Sequence, residues 1–197
     1  MNLPNRLTIF RIVLVPLIIL IYTFPYPSLG VEPQSYRIGT VNLSSINIVV
    51  LALYALASLT GILNEYIVRK RNMITTFGKF AKPIAEKLLT MSLFLLFAAK
   101  GIVPIVPVIL MMASDIVVDG CTLAAAVNGK ALFPGFTGRL RKVIQAQTIL
   151  LVLVCNLPFE LWGLPVAEIS LWLGAFVSMS SCLQYYSQAK EDITESK

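Results

Sequence analysis

The stretch Ala57-Ser58-Leu59-Thr60-Gly61-Ile62-Leu63-Asn64-Glu65-Tyr66-Ile67-Val68-Arg69-Lys70-Arg71 closes one long apolar run and opens a basic connection, after which Lys82-Pro83-Ile84-Ala85-Glu86-Lys87-Leu88-Leu89 leads into the next. The flanking runs, Ile46 to Leu63 and Pro83 to Ala99, are each long enough to cross or nearly cross about 30 Å of hydrocarbon. An ionisable side chain at membrane depth costs several kcal/mol unless it is paired or hydrated. Glu65, Lys82 and Glu86, with the polar Asn64 beside them, therefore mark a place of chemistry or of tight pairing.

Four more runs extend the pattern outward: Leu7 to Phe24, Ile102 to Val127, Val143 to Phe159 and Ala167 to Tyr186. The expectation is an all-α membrane protein with six transmembrane helices forming one domain over residues 1–197. Composition agrees, since 57% apolar and 13% charged residues with a mean hydropathy of +0.80 exclude a soluble single-core protein. Continuous Leu, Ile and Val runs are not the alternating pattern of a membrane barrel, and helices are the open-ended segments that satisfy their own backbone in lipid. The first run carries Arg11 and lacks a small-residue cleavage site, so it reads as a retained helix and not as a signal peptide. Three cysteines in apolar runs and no histidine give neither a disulfide framework nor a zinc cluster.

Of the 16 Lys and Arg residues, all but Arg37 and Lys100 fall on one side of the expected bundle, which by the positive-inside rule puts both termini in the cytoplasm. The net charge of +6 is then a one-sided collar facing anionic membrane lipid, and no soluble basic surface is left for nucleic acid. The segment from Pro25 to Ser45 reads as a cap on the outer helix ends, and the tail from Glu191 as a polar end. Gly101, Gly129 and Gly135 read as loop punctuation, and Trp162 and Trp172 as interface anchors.

A second polar cluster lies further along. Asp115 and Asp119 stand four apart and so share a helix face, followed by Gly138-Arg139-Leu140-Arg141-Lys142 at the next basic edge. Pairing of the two aspartates with Arg139, Arg141 or a neighbouring helix is the expected reading, with a bound cation or amine as its rival.

The opening Met1-Asn2-Leu3-Pro4-Asn5-Arg6-Leu7-Thr8 with Arg11, Ala57-Ser58-Leu59-Thr60, Arg69-Lys70-Arg71-Asn72, Thr75-Thr76-Phe77-Gly78-Lys79-Phe80 and Pro83-Ile84-Ala85-Glu86-Lys87-Leu88-Leu89 resemble the CDP-alcohol phosphotransferase family, nearest its bacterial phosphatidylglycerophosphate synthases. The match continues collinearly to Gly120 and to Gly138-Arg139-Leu140-Arg141-Lys142, covering the chain to about residue 150. The resemblance implies a bacterial inner-membrane protein, usually a homodimer, with a cytoplasm-facing cavity where a CDP-activated lipid meets an alcohol.

The family motif is D-x-x-D-G-x-x-A-R, a spacer, then G-x-x-x-D-x-x-x-D, whose aspartates hold two divalent ions against a pyrophosphate. Laid on this chain, the aspartate positions read Gly61, Asn64, Lys82 and Glu86, so three of the four carboxylates are gone. Hard cations need several oxygen ligands, and an ammonium about 4 Å from an ion repels it by several kcal/mol at an effective dielectric near 20. Lys82 and Glu86, four apart, are expected to pair across the emptied site. On the acceptor side Ser114 and Thr122 stand where relatives using glycerol phosphate carry arginines, while Asp115 keeps an acid. Arg69, Arg139, Arg141 and Lys142 remain as anchors for lipid phosphate.

The sequence thus predicts a pseudoenzyme with no metal cofactor, binding CDP-diacylglycerol or an anionic phospholipid, or acting as a homodimer or a heteromer with another membrane protein. The alternative is an active CDP-alcohol phosphatidyltransferase with a rebuilt Mg²⁺ or Mn²⁺ site, in which Glu86, Glu65, Asp115 and Asp119 supply replacement carboxylates and Glu86 is the candidate catalytic base.

Overall fold

In the computed structural model, which describes residues 2–71, 75–127 and 135–194, six long helices run up and down. They are α1 (Leu3–Thr23), α2 (Ser45–Arg71), α3 (Thr76–Ala99), α4 (Ile105–Val127), α5 (Phe136–Leu153) and α6 (Val166–Thr194). Local signals set several boundaries. Pro4 in the first turn of α1 loses only an amide that the helix would not use. At α3 the Thr75 hydroxyl caps the helix, accepting from the Gly78 amide at 3.0 Å and donating to Asn5 Oδ1 at 2.8 Å. That second bond ties the start of α3 to the start of α1.

The helices sort into two groups. α1 packs on α2 and α3, while α6 packs on α4 and α5, and thinner contacts of α3 with α4 and α5 and of α2 with α5 join the halves. The shared core includes Phe97 of α3, edge-on to Tyr22 of α1 at 5.8 Å between ring centres. Outward faces carry exposed Val13, Ile116, Phe176 and Leu183, whereas Thr8, Ser114, Thr148, Ser170, Ser178 and Ser181 are buried. Greasy outside and small polar residues inside is the arrangement of helices packed in lipid, where close approach and interhelical hydrogen bonds hold the bundle. The Thr148 and Ser170 hydroxyls, 2.7 Å apart, make such a bond between α5 and α6.

Among the described residues, four helical stretches are long and apolar enough to cross a membrane: Leu3–Thr23, Ser45–Val68, Ile105–Val127 and Val166–Lys190. The expectation of six crossings is met in helix number but not in apolar length, because α3 and α5 spend their first turns on charge. Lys82, Glu86 and Lys87 stand in α3, and Arg139, Arg141 and Lys142 in α5.

Two further corrections concern the far end. The expected all-α fold contains a small antiparallel hairpin, β1 (Ser35–Ile38) with β2 (Val41–Ser44), paired Ser35 to Ser44 and Ile38 to Val41. Its reversal runs through Gly39 at φ +61°, a conformation that glycine adopts without a side-chain penalty. The strands escape sequence reading because β1 is exposed throughout and shows no buried alternation. The fifth apolar run, expected to reach Phe159 as helix, ends at Leu153; Cys155 and Asn156 then take φ of 54° and 59°. Asparagine tolerates that region, and here its side chain organises the turn. Asn156 Nδ2 donates to Leu164 O at 2.7 Å and Glu160 Oε2 at 2.8 Å, while its Oδ1 accepts from the Ala167 amide at 3.0 Å. Asn156→Ala should therefore lower stability by about 2–3 kcal/mol, from three lost bonds and a left-handed alanine, read as earlier thermal unfolding in detergent.

At this same end Lys100 Nζ donates to the Tyr22 carbonyl at 2.6 Å and lies 3.8 Å from the Tyr22 ring centre. Partial burial lowers its pKa from the ordinary lysine value. Gly101 follows at φ +68°, the turn punctuation expected of it, while Gly129 lies outside the described residues.

Candidate functional site

The opposite end gathers the starts of α1, α3 and α5 and the ends of α2, α4 and α6, and there a cleft of about 310 Å³ opens between the two helix groups. From α2 come Tyr54, Ser58, Gly61 and Glu65, spaced i, i+4, i+7 and i+11 and so lying along one helix face. Arg11 enters from α1, Glu86, Lys87 and Thr90 from α3, Asp115 from α4, and Arg141, Lys142 and Gln145 from α5.

Gly61 of α2 lies directly against the Arg11 side chain of α1. A Cβ built there would fall on the Arg11 guanidinium, so the missing side chain is the space that the arginine occupies. Asn64 turns its amide to α1 as well, Nδ2 donating to Thr8 Oγ1 at 2.9 Å and to Pro4 O at 3.1 Å. Lys82 does not pair with Glu86. Its Nζ donates to Glu65 Oε2 at 2.9 Å, while Glu86 Oε2 accepts from Lys142 Nζ at 2.9 Å and its Oε1 lies 3.9 Å from Arg11 Nη1. Positions four apart on a helix differ by about 40° around the axis. That difference lets Lys82 meet α2 and Glu86 meet the cations of α1 and α5.

The two aspartates of α4 also part company. Asp115 is buried and ion-paired with Arg141, whereas Asp119 is exposed and pairs with Lys87 of α3 instead of Arg139 or Arg141. Ser114 and Thr122 spend their hydroxyls on their own helix, donating to Leu110 O and Val118 O, each at 2.7 Å. Arg139 is exposed on α5. Arg69 belongs to α2, and its side chain lies outside the described residues.

Sequence reading singled out Gly61, Glu86, Asp115, Arg141 and Lys142 and left Arg11, Tyr54 and Gln145 without a role. Two signals were available: Arg11 is a lone cation inside an apolar run, and Gln145 stands one turn beyond Arg141.

A pair of divalent ions does not fit this donor set. Gly61 offers no ligand, Asn64 is committed to α1, Lys82 brings an ammonium, and Glu65, Glu86 and Asp115 each face a cation. Among the described residues no three acidic, cysteine or histidine groups gather around one point.

The buried Asp115–Arg141 pair joins α4 to α5. Removing one partner strands the other charge, so Asp115→Ala should cost about 3–5 kcal/mol, whereas Asp115→Leu combined with Arg141→Met should recover most of it in the same detergent melt.

A family model described as "CDP-alcohol phosphatidyltransferase" matches residues 1–180. Relatives named "CDP-diacylglycerol--glycerol-3-phosphate 3-phosphatidyltransferase" align along nearly the whole chain. The protein of Bacillus subtilis (strain 168) is 30% identical over 195 residues, 99% of this chain and 98% of the relative. That of Rickettsia bellii (strain RML369-C) is 30% identical over 191 residues, 96% of each. That of Pseudomonas fluorescens is 28% identical over 194 residues, 96% of this chain and 90% of the relative.

Proposed function

The chain belongs to the CDP-alcohol phosphatidyltransferase family, and from that membership we propose that it takes CDP-diacylglycerol into the charged cleft and passes the phosphatidyl group to glycerol 3-phosphate. The observation that carries this reading is end-to-end similarity to relatives named for that transfer, at 30% identity over 99% of the chain. We place the protein in the bacterial inner membrane with six crossings and the cleft at the cytoplasmic face, on the strength of the one-sided cations.

In the proposed step a glycerol hydroxyl oxygen attacks the phosphorus that carries the diacylglycerol. A new P–O bond forms, the bond to the bridging oxygen breaks, and CMP leaves with the electron pair. Glu86 is the carboxylate in the cleft suited to take the hydroxyl proton, while Arg11, Arg141, Lys142 and Lys87 neutralise the phosphates. Incubation of the purified protein in lipid with CDP-diacylglycerol and labelled glycerol 3-phosphate, in the presence of Mg²⁺, is expected to yield CMP and labelled lipid in equal amounts.

A second reading, binding of the same lipid without turnover, is favoured by one observation: Lys82, at a motif aspartate position, is engaged with Glu65. The relatives, named as the transferase, lend loss of activity no support. Absence of CMP release alongside retained lipid binding would establish this second reading.

A further inference from the structure

Arg11 and Arg141 enter the cleft from opposite helix groups, and each is only 5% exposed. Nε of each is buried with no hydrogen-bond partner. A buried donor left unmet costs about 1–3 kcal/mol, so two of them on arginines that both line one cleft point to an acceptor-rich ligand there. The anions nearby fall short of filling that role. Asp115 pairs with Arg141 at Nη1, and Glu86 stands 3.9 Å from Arg11 with its other oxygen on Lys142. A guanidinium presents five donors in a planar fork, so each arginine keeps capacity after these contacts.

The location of Arg11 adds a separate reason. Its guanidinium fills the volume over Gly61, the position where the family motif has its first aspartate, and Lys82 occupies the third with an ammonium. Both substitutions replace anions meant to gather mobile cations by cations fixed to the chain or by room for one. Part of the positive charge that paired metals would bring to a diphosphate is thereby fixed to the chain at Arg11, while Lys82 is engaged with Glu65. Ile62 and Leu89 add apolar surface to the lining, and Ile62 is 68% exposed, which leaves room for an acyl chain beside the charged groups.

We infer that this cleft is a metal-independent site for the diphosphate of a CDP-activated lipid, with the buried guanidinium groups of Arg11 and Arg141 in place of divalent ions. The inference rests on the reading that such a lipid enters the cleft.

The test measures binding of CDP-diacylglycerol to the full-length protein in nanodiscs, with excess Mg²⁺ and with excess EDTA, beside a parallel series with soluble CDP. Affinity is expected to agree within about twofold between the two conditions, and Arg11→Met to weaken it about 10-fold or more, as loss of a charge-assisted bond dictates. Gly61→Ala keeps the charge but expels the guanidinium, and should weaken binding similarly if Arg11→Met fails to fold. Lipid binding that requires Mg²⁺, or that is indifferent to both variants, overturns the inference. Soluble CDP binding as tightly as the lipid, without metal, supports the guanidinium site and assigns it to a free diphosphate. Metal-free binding with no CMP release removes the transfer reading alone, while CMP release strictly dependent on Mg²⁺ removes this inference alone.

Discussion

Restoring the carboxylates, with Gly61→Asp, Asn64→Asp and Lys82→Asp combined, is expected to give a protein that Mg²⁺ stabilises, where the unsubstituted chain is expected to show no such effect. The change at Lys82 matters most. An ammonium about 4 Å from a divalent ion opposes it by about 8 kcal/mol at an effective dielectric of 20, and an aspartate there reverses the sign. Asn64→Asp gives up the two bonds to Thr8 and Pro4 in exchange for a charged ligand, and Gly61→Asp must push the Arg11 guanidinium aside. Gly61→Asp alone should therefore destabilise, and the gain should emerge only when the site as a whole carries enough negative charge to hold an ion. At about 100 times the dissociation constant, Mg²⁺ would add roughly 2.7 kcal/mol, a rise of about 2–4 °C in Tm for each kcal/mol in a chain of this size. Thermal unfolding of both proteins with Mg²⁺ and with EDTA reads this directly. A triple variant that ignores the ion would show that these three positions do not converge as the motif register requires.

What the sequence made legible follows from what physical period and charge can encode. Continuous apolar runs announce helices without ambiguity, and all six are present near the expected places. Their ends are less readable, because the stop after Leu153 depends on Asn156 finding three partners that only the folded turn supplies. The hairpin at Ser35–Ser44 hides for a different reason: β1 is exposed throughout and buries no alternate face, and the four residues of β2, with Val41 buried, are too few to show a period. The candidate site shows the same division. Glu86, Asp115, Arg141 and Lys142 line one cleft, yet helical spacing could not choose their partners. Lys82 and Glu86 satisfy the i, i+4 rule and still separate, since each meets an opposite charge on another helix. The Arg11–Gly61 approach lies beyond any local rule, as 50 residues separate a cation from the glycine that makes room for it.

Glu86→Gln is the substitution expected to divide chemistry from binding. Glu86 accepts from Lys142 at 2.9 Å and faces Arg11 at 3.9 Å, so the wild-type carboxylate is held at the centre of the cationic wall. As base for the acceptor hydroxyl, its loss should lower kcat by about 10²–10⁴. Binding should move the other way. The charged lining consists of four cations, Arg11, Lys87, Arg141 and Lys142, against three anions, Glu65, Glu86 and Asp115. Neutralising one anion leaves the cleft more positive, and it frees both Lys142 and Arg11 for phosphate oxygens. Stability should change little, because the Lys142 side chain is largely in water and such pairs contribute about 0–1 kcal/mol. The diagnostic result is a fall in kcat with KM unchanged or lower, accompanied by tighter binding of CDP-diacylglycerol. A parallel loss of kcat and of lipid affinity would instead make Glu86 a positioning residue, holding Lys142 and Arg11 in place and not receiving the proton.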